Sequence, residues 1–365
     1  MIFGKMGSRR IGLLLLAVCM LAGCGAKEAD SAEAKQADEE RTEMAAQETA
    51  TDAEQETETE ADRKGEVSYS LWNAYWNLEG AEEQTEMLAE HVKNVNFFAA
   101  YFDQNDAVFI PQATTDFYAA HGDSYRERGW NCYLTVVNDQ INADGSSSLK
   151  STELLYRLLE KEARYEAHAE ELIALTKEAG YDGLEIDYEN IRKDDVLWGH
   201  FMHFIGYLYD RCEEENLLLR VVIETNINAD QIDWVEGPVY CVMCYNLYGS
   251  HSEPGPKADR AFLEEIMEKM HHVPGTVDYA LANGGFDWSG DGTVKGLTVK
   301  QAETLSEQYG AAVEQDESAA KVFQYTDEDG ISHEVWYGDQ ETLDTWMLWL
   351  QNGDNWNYSI WRLGD

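Results

Sequence analysis

Between Tyr181 and Glu189 the chain reads Tyr-Asp-Gly-Leu-Glu-Ile-Asp-Tyr-Glu, placing carboxylates at every second position: Glu185, Asp187 and Glu189. A strand alternates faces with period two, so the three acids share one face while Leu184, Ile186 and Tyr188 fill the other. Three carboxylates on one buried face repel one another and resist desolvation, a cost that a purely structural strand would hardly carry. The chemistry such a row suits is proton transfer. A carboxyl at a cleft, flanked by a second acid that can accept its hydrogen bond, has what a general acid needs at neutral pH.

The elements that must hold this row can be read on either side of it. Val67–Trp72, Val95–Phe102, Trp130–Val137, Gly183–Glu189, Leu218–Ile223, Val239–Tyr245, Val277–Leu281 and Tyr358–Trp361 read as strands. Amphipathic stretches lie between several of them, the clearest running from Thr152 to Ala179 and ended by Gly180. Alternating strands and helices predict a parallel sheet, and eight such units in roughly 300 residues predict an α/β fold, the closed (β/α)8 TIM barrel. The spacing breaks once, between the seventh and eighth strands. There, Val322–Thr326, the turn Asp327–Gly330 and Ile331–Tyr337 read as a hairpin inside a small α+β insertion at about 289–338. Four residues follow Trp361, so no eighth outer helix is expected after the last strand. Active sites of such barrels sit at the C-terminal ends of the strands, which puts Glu189 at the mouth and Asp187 and Glu185 progressively deeper. Asp182 falls on the other parity. Asn138 and Asp139, just past the third strand, sit at the catalytic face of the barrel and read either as candidates for ligand hydroxyls or as ordinary turn residues. Trp72, Tyr75, Trp76 and Phe102 serve either as ligand platforms or as barrel filling, while His333 in the inserted hairpin reads as a surface residue.

Asp182-Gly-Leu-Glu-Ile-Asp-Tyr-Glu189 resembles the Asp-x-x-Asp-x-Asp-x-Glu signature of glycoside hydrolase family 18, the chitinase and endo-β-N-acetylglucosaminidase family. Val242-Met-Cys-Tyr-Asn-Leu-Tyr248 resembles that family's sixth strand, Gly284–Trp288 its seventh-strand end, and Phe323–Trp336 with Tyr358–Gly364 its bacterial cell-wall and spore-type members. The resemblance implies a retaining, substrate-assisted hydrolase of β-linked N-acetylglucosamine glycans, peptidoglycan foremost, in which the sugar's acetamido oxygen attacks the anomeric carbon. Glu189 would protonate the leaving oxygen, Asp187 would align the acetamido N–H, and Tyr245 would donate its hydroxyl to the same group. Trp361 would floor the pocket, with Trp72, Met243, Asn138, Asn246 and Glu185 beside the substrate. Two positions depart from the pattern. Glu185 stands where Asp is usual and is expected to share a proton with Asp187. Asn246 also replaces an Asp, which should lower the pKa of Glu189 relative to members with Asp and move the pH optimum toward acid. The alternative function is a non-catalytic, chitolectin-like surface lipoprotein; a solute-binding lipoprotein is disfavoured by the single eightfold alternation.

The chain opens with Lys5, Arg9 and Arg10, an apolar run from Ile11 to Met20, and Leu21-Ala-Gly-Cys24, which resembles a bacterial lipobox. A signal peptide of residues 1–23, lipidation of Cys24 and anchoring to the cell membrane follow as expectations. Residues 24–65 are rich in Glu, Ala, Thr, Gln and Asp, the composition of an acidic, disordered tether. Residues 66–365 carry the chain's 11 Trp and 20 Tyr, enough for one large core. A formal charge of -43 argues against nucleic acid and other polyanions as partners. Neither a phosphate-binding Gly-rich loop nor a complete ligand set for a metal is present, so no cofactor is expected, and the protein is expected to act as a monomer. Cys241-Val-Met-Cys244 lacks a second ligand pair and, with Cys132 and Cys212, reads as buried core, a disulfide remaining open.

Overall fold

The computed structural model describes residues 65–364. The expected signal peptide (residues 1–23), Cys24 and nearly all of the expected tether lie outside the described residues. Eight strands form the barrel wall. The first five are β1 (Ser68–Ala74), β2 (Val92–Asp103), β3 (Asn131–Ile141), β4 (Gly183–Asp187) and β5 (Leu218–Ile223). β6 (Val239–Met243) and β7 (Val277–Ala282) follow, and the last strand to join is Asn357–Trp361. Each pairs in parallel with its neighbours, and Asn357–Trp361 closes the ring between β7 and β1. The expected (β/α)8 barrel is the observed fold.

The outward faces of the strands carry branched and aromatic residues that pack under the helices. Leu184, Ile186 and Tyr188 belong to this main core, and the Tyr188 hydroxyl meets His168 Nε2 at 2.7 Å beneath them. Opposite parity sends Glu185 and Asp187 inward, as period two requires. The helices on the outside are α1 (Ala81–Leu88), α2 (Gln112–Glu127), α3 (Thr152–Leu159), α4 (Glu162–Ala179), α5 (Asp195–Glu215) and α6 (Arg260–Met270). The stretch predicted as one helix from Thr152 to Ala179 is two. Lys161 adopts extended backbone between them (φ -127°, ψ 138°), within the exposed run 160–164, and the apolar contact resumes at Tyr165. Gly180 ends α4 in the left-handed region at φ 83°, a conformation that an L side chain adopts only at a cost.

The insertion has its own sheet. β8 (Gly284–Ser289), β9 (Val294–Leu297), β10 (Lys321–Thr326) and β11 (Ser332–Gly338) run antiparallel, with Glu314–Gln315 on the edge. α7 (Val299–Tyr309) covers it, and α8 (Gln340–Gln351) leads back to the last barrel strand, now β12 (Asn357–Trp361). The predicted hairpin is present. The sheet starts at Gly284 rather than near 289, because Gly284–Trp288, read from sequence as the end of the seventh strand, pairs with β11 instead. Gly285 permits that pairing: a Cβ there would stand 1.8 Å from the Trp336 carbonyl oxygen. His333 is a partner within this sheet and not a surface residue. It meets Asp287 Oδ1 at 2.8 Å and stacks on Tyr325 at 4.4 Å between ring centroids.

Candidate active site

Each of the three acids on the β4 row meets a different environment. Glu185 is fully buried and accepts from Trp72 Nε1 at 2.6 Å, Thr135 Oγ1 at 2.7 Å and Arg220 Nε at 3.0 Å. Every one of these contacts is to a donor, so the expected proton shared with Asp187 has no place there. Arg220 extends the arrangement across the barrel floor, donating to Asp278 Oδ2 at 2.9 Å and Ser359 Oγ at 2.9 Å. Ser359 and Ser70 in turn donate to Asp278. The floor is a closed net of charge-assisted hydrogen bonds.

One step up, Asp187 is 8 % exposed and its Oδ1 has no hydrogen-bond partner among the described residues. Burial pushes its pKa well above the ordinary carboxylate range, and the charges of Glu189 and Glu185 push it further in the same direction. A buried oxygen without a donor is costly, and a substrate N–H is a donor that would relieve it.

Glu189, at the top, lies just beyond the end of β4 and is partly open to solvent, its side chain 17 % exposed. Asn138 clamps its backbone from both sides, accepting the Glu189 N–H at 3.0 Å and donating to the Glu189 carbonyl at 3.0 Å. The carboxylate pairs with Lys150 Nζ, which projects from the loop after β3. Burial raises the pKa of Glu189; Lys150 opposes that by charge and hydrogen bond, and the charges of Glu224 and Asp139 add to the rise. Asn246 is not among the main groups that set this balance. Asn246 is exposed, with its amide 3.9 Å from Met243 Sδ. Tyr245 lies within electrostatic reach of both acids, and burial followed by the charges of Asp187 and Glu189 raises its hydroxyl well above its ordinary pKa, keeping it a donor. Its ring packs with Trp361 on the cluster of Trp72, Val222, Cys241, Met243 and Ala280 that plugs the barrel.

The structure therefore brings Glu189, Asp187, Tyr245 and Trp361 together at the mouth and gives Trp72, Met243, Asn138 and Glu185 other roles. Trp72 is 2 % exposed, with its indole N–H on Glu185, so it fills the barrel instead of facing a substrate. Met243 is buried in the same plug, and Glu185 lies beneath it. Asn138, buried at 1 %, positions Glu189 and has no free amide for sugar hydroxyls. Of the aromatic residues early in the chain, Phe102 is core, whereas Trp76 is 50 % exposed and packs edge-on against Phe98, itself against Trp361.

Lys150, Glu224, Arg192, Arg220 and Asp278 have no counterpart in the sequence reading. Glu224 directly follows the apolar run of β5 and accepts from the Asn190 N–H at 2.9 Å and from Arg192; its strand-end position was a usable signal. Arg220 and Asp278 interrupt apolar strand runs at inward parity, which was a signal as well. Lys150 sits in a loop, and no periodicity announces it. Among the described residues no cluster of His, Cys, Asp and Glu is arranged to hold a metal ion, and Cys132, Cys212, Cys241 and Cys244 are buried and free.

Comparison with known proteins supplies a context for this geometry. The chain is 25 % identical over 214 residues to YdhD of Bacillus subtilis, named as a sporulation-specific glycosylase, across 54 % of this chain and 50 % of that protein. It is similar in structure to the spore cortex-lytic enzyme SleL of Bacillus cereus, with a TM-score of 0.67 at 16 % identity over 82 % of this chain and 71 % of the other. A chitinase from Chromobacterium violaceum superposes with a TM-score of 0.65 at 18 % identity, covering 82 % and 94 %. The barrel fold is shared. The chain is thus similar to proteins named as glycosylases, cortex-lytic enzymes and chitinases, and spans about half the length of the curated relative YdhD. No family model matches it.

Proposed function

We propose that the protein is a glycoside hydrolase of family 18 type that cleaves β-linked N-acetylhexosamine glycans with retention, peptidoglycan being the favoured substrate. The observation that carries this reading is the partnerless Oδ1 of Asp187 beneath a partly open Glu189 whose backbone is pinned by Asn138. Similarity to a glycosylase and a cortex-lytic enzyme supports the substrate class.

In this mechanism the acetamido oxygen of the bound sugar attacks its own anomeric carbon as the glycosidic bond breaks, and protonated Glu189 delivers its proton to the departing oxygen. Asp187 accepts the acetamido N–H, which aligns the attack and offsets the positive charge of the oxazolinium. Tyr245 donates to the acetamido group, and Trp361 offers its face to the sugar's C–H surface. Glu189, now ionised, takes a proton from the incoming water, which adds to the same carbon and restores the starting configuration. Lys150 favours the ionised Glu189 and so stabilises that second half of the cycle. It opposes the first, and its partly exposed ammonium must yield when a leaving sugar takes its place. Lipid attachment at Cys24 would hold the enzyme at the outer face of the membrane, near the wall.

Incubating wild type and Glu189→Gln with peptidoglycan, chitooligosaccharides and a high-mannose glycopeptide tests the reading. Cleavage of one of them by wild type, with the β-anomer appearing first in the product by NMR and no turnover by the variant, is the expected result. Binding without cleavage of any of the three would establish the lectin alternative.

A further inference from the structure

Beside Trp361 a cavity of about 360 Å³ opens between the ends of β7 and β12 and the inserted sheet, lined by neither Glu189 nor its partners. Its lining includes two cations, Lys257 and Arg362, with the amides of Asn77 and Asn283, and no carboxylate. This is exceptional in a chain with 70 acidic and 27 basic residues. Among the described residues neither cation has an acidic partner. Lys257 Nζ donates to the Asn283 carbonyl at 2.6 Å and lies 5.5 Å from the Phe286 ring centroid. Among the described residues the Arg362 Nη1 is buried without a hydrogen-bond partner. The start of α7, capped by Thr298, faces the same space and adds the positive end of a helix.

Two like charges held together without a counter-charge destabilise a fold, and elsewhere this protein avoids that situation: Arg220 is neutralised by Glu185 and Asp278, Arg192 by Glu224. The cost is visible in the groups themselves. Burial, reinforced by the charge of Arg362, pushes Lys257 down to about 7, and burial lowers Arg362 as well. An anion between them would relieve both. A guanidinium and an ammonium with an amide nearby form a donor set suited to a carboxylate, and Trp361 places that set alongside the sugar it floors.

We propose that this cavity binds a carboxylate carried by the glycan, the 3-O-lactyl acid of a muramyl residue or an acid of its attached peptide. The proposal rests on the glycan reading above and makes the substrate an acidic N-acetylhexosamine polymer, distinguished from chitin by this pocket. The charge of the whole chain repels such a polymer, and the pocket supplies the local exception that admits it.

Calorimetric titration of the full chain carrying Glu189→Gln, which holds glycans without turning them over, provides the test. Its ligands are a glucosaminyl-muramyl tetrasaccharide with free lactyl acids, the same compound with those acids reduced to alcohols, the peptide-bearing form, and chitotetraose. The free-acid form is expected to bind about tenfold more tightly than the reduced form, the worth of one charge-assisted hydrogen bond. That ratio should shrink toward one in Lys257→Met and in Arg362→Met, and should be retained in Lys257→Arg. A further gain with the peptide-bearing form would place the bound acid on the peptide. Equal affinity for free-acid and reduced forms, measured with both cations intact, overturns the proposal whatever the variants do. Failure of every glycan to bind overturns the pocket and the glycan reading together. A preference for the acid form in a protein that cleaves nothing with Glu189 restored would remove the hydrolase reading and leave the pocket standing.

Discussion

The barrel floor and the barrel mouth are built from the same strand and the same residue types, yet they treat charge in opposite ways. On the floor, Glu185, Arg220 and Asp278 spend their charge on one another, and hydroxyls of Thr135, Ser70 and Ser359 take up the remaining hydrogen-bonding capacity. At the mouth, 2 residues further along β4, Asp187 keeps a buried oxygen with no donor, and Glu189 shares its charge with a half-exposed lysine that solvent can replace. A satisfied network holds structure in place; an unsatisfied one is held in readiness by the structure around it. The difference between them teaches where to look for function in a chain with so many acids: at the carboxylates the fold leaves incomplete.

The sharpest way to break the comparison is Glu189→Gln, which removes the proton that the proposed mechanism transfers and leaves the backbone clamp of Asn138 in place. Turnover should fall by about 10³-fold or more with little change in thermal unfolding; a comparable loss of stability would mean that the mouth is structural after all. Arg220→Met attacks the other region. It strands two buried carboxylates, so unfolding in urea should show a loss of about 3–5 kcal/mol, far more than any substitution at the mouth.

On the proposed mechanism Asp187→Asn should lower turnover by about 10²-fold, since one charge-stabilising contact to the transition state would be lost, yet leave stability unchanged or improved. The sign follows from linkage. The native state holds the Asp187 proton more tightly than the unfolded chain does, so this residue's contribution to stability falls as pH rises from the ordinary carboxylate value toward the raised native one. Unfolding of wild type and Asp187→Asn across pH 4 to 8 should therefore diverge, with the variant gaining on wild type as pH rises. Lys150→Met carries the smallest effect. Loss of the ammonium removes the main influence that lowers Glu189, so Glu189 stays protonated to higher pH and the basic limb of the kcat profile moves up. A limb that does not move would mean that Lys150 does not act on Glu189 during turnover.

Much of this was legible before the structure. Eight apolar runs and their spacing sufficed for the barrel, because strand burial and helix amphipathicity are local properties. The parity of Glu185, Asp187 and Glu189 sufficed to place them on one inward face. What failed did so for lack of partner information. Trp72 and Asn138 were assigned to a ligand, but Trp72 bonds to an acid 113 residues away and Asn138 to a backbone 51 residues away. Glu185 was paired with its neighbour on the strand, whereas Arg220 from the next strand reaches it first. Gly284–Trp288 joined the inserted sheet because strand pairing, not composition, decides which sheet a β segment enters.

By itself the sequence determined the barrel, the row of acids and the order in which they rise to the mouth, since each depends on periods of two and 3.6 residues along one chain. Only the tertiary structure decided which acid is neutralised, which is left waiting, and that Lys150, Lys257 and Arg362 stand around Trp361 and Glu189. Charge compensation is a property of distances in space, and residues far apart in sequence set those distances only when the barrel closes.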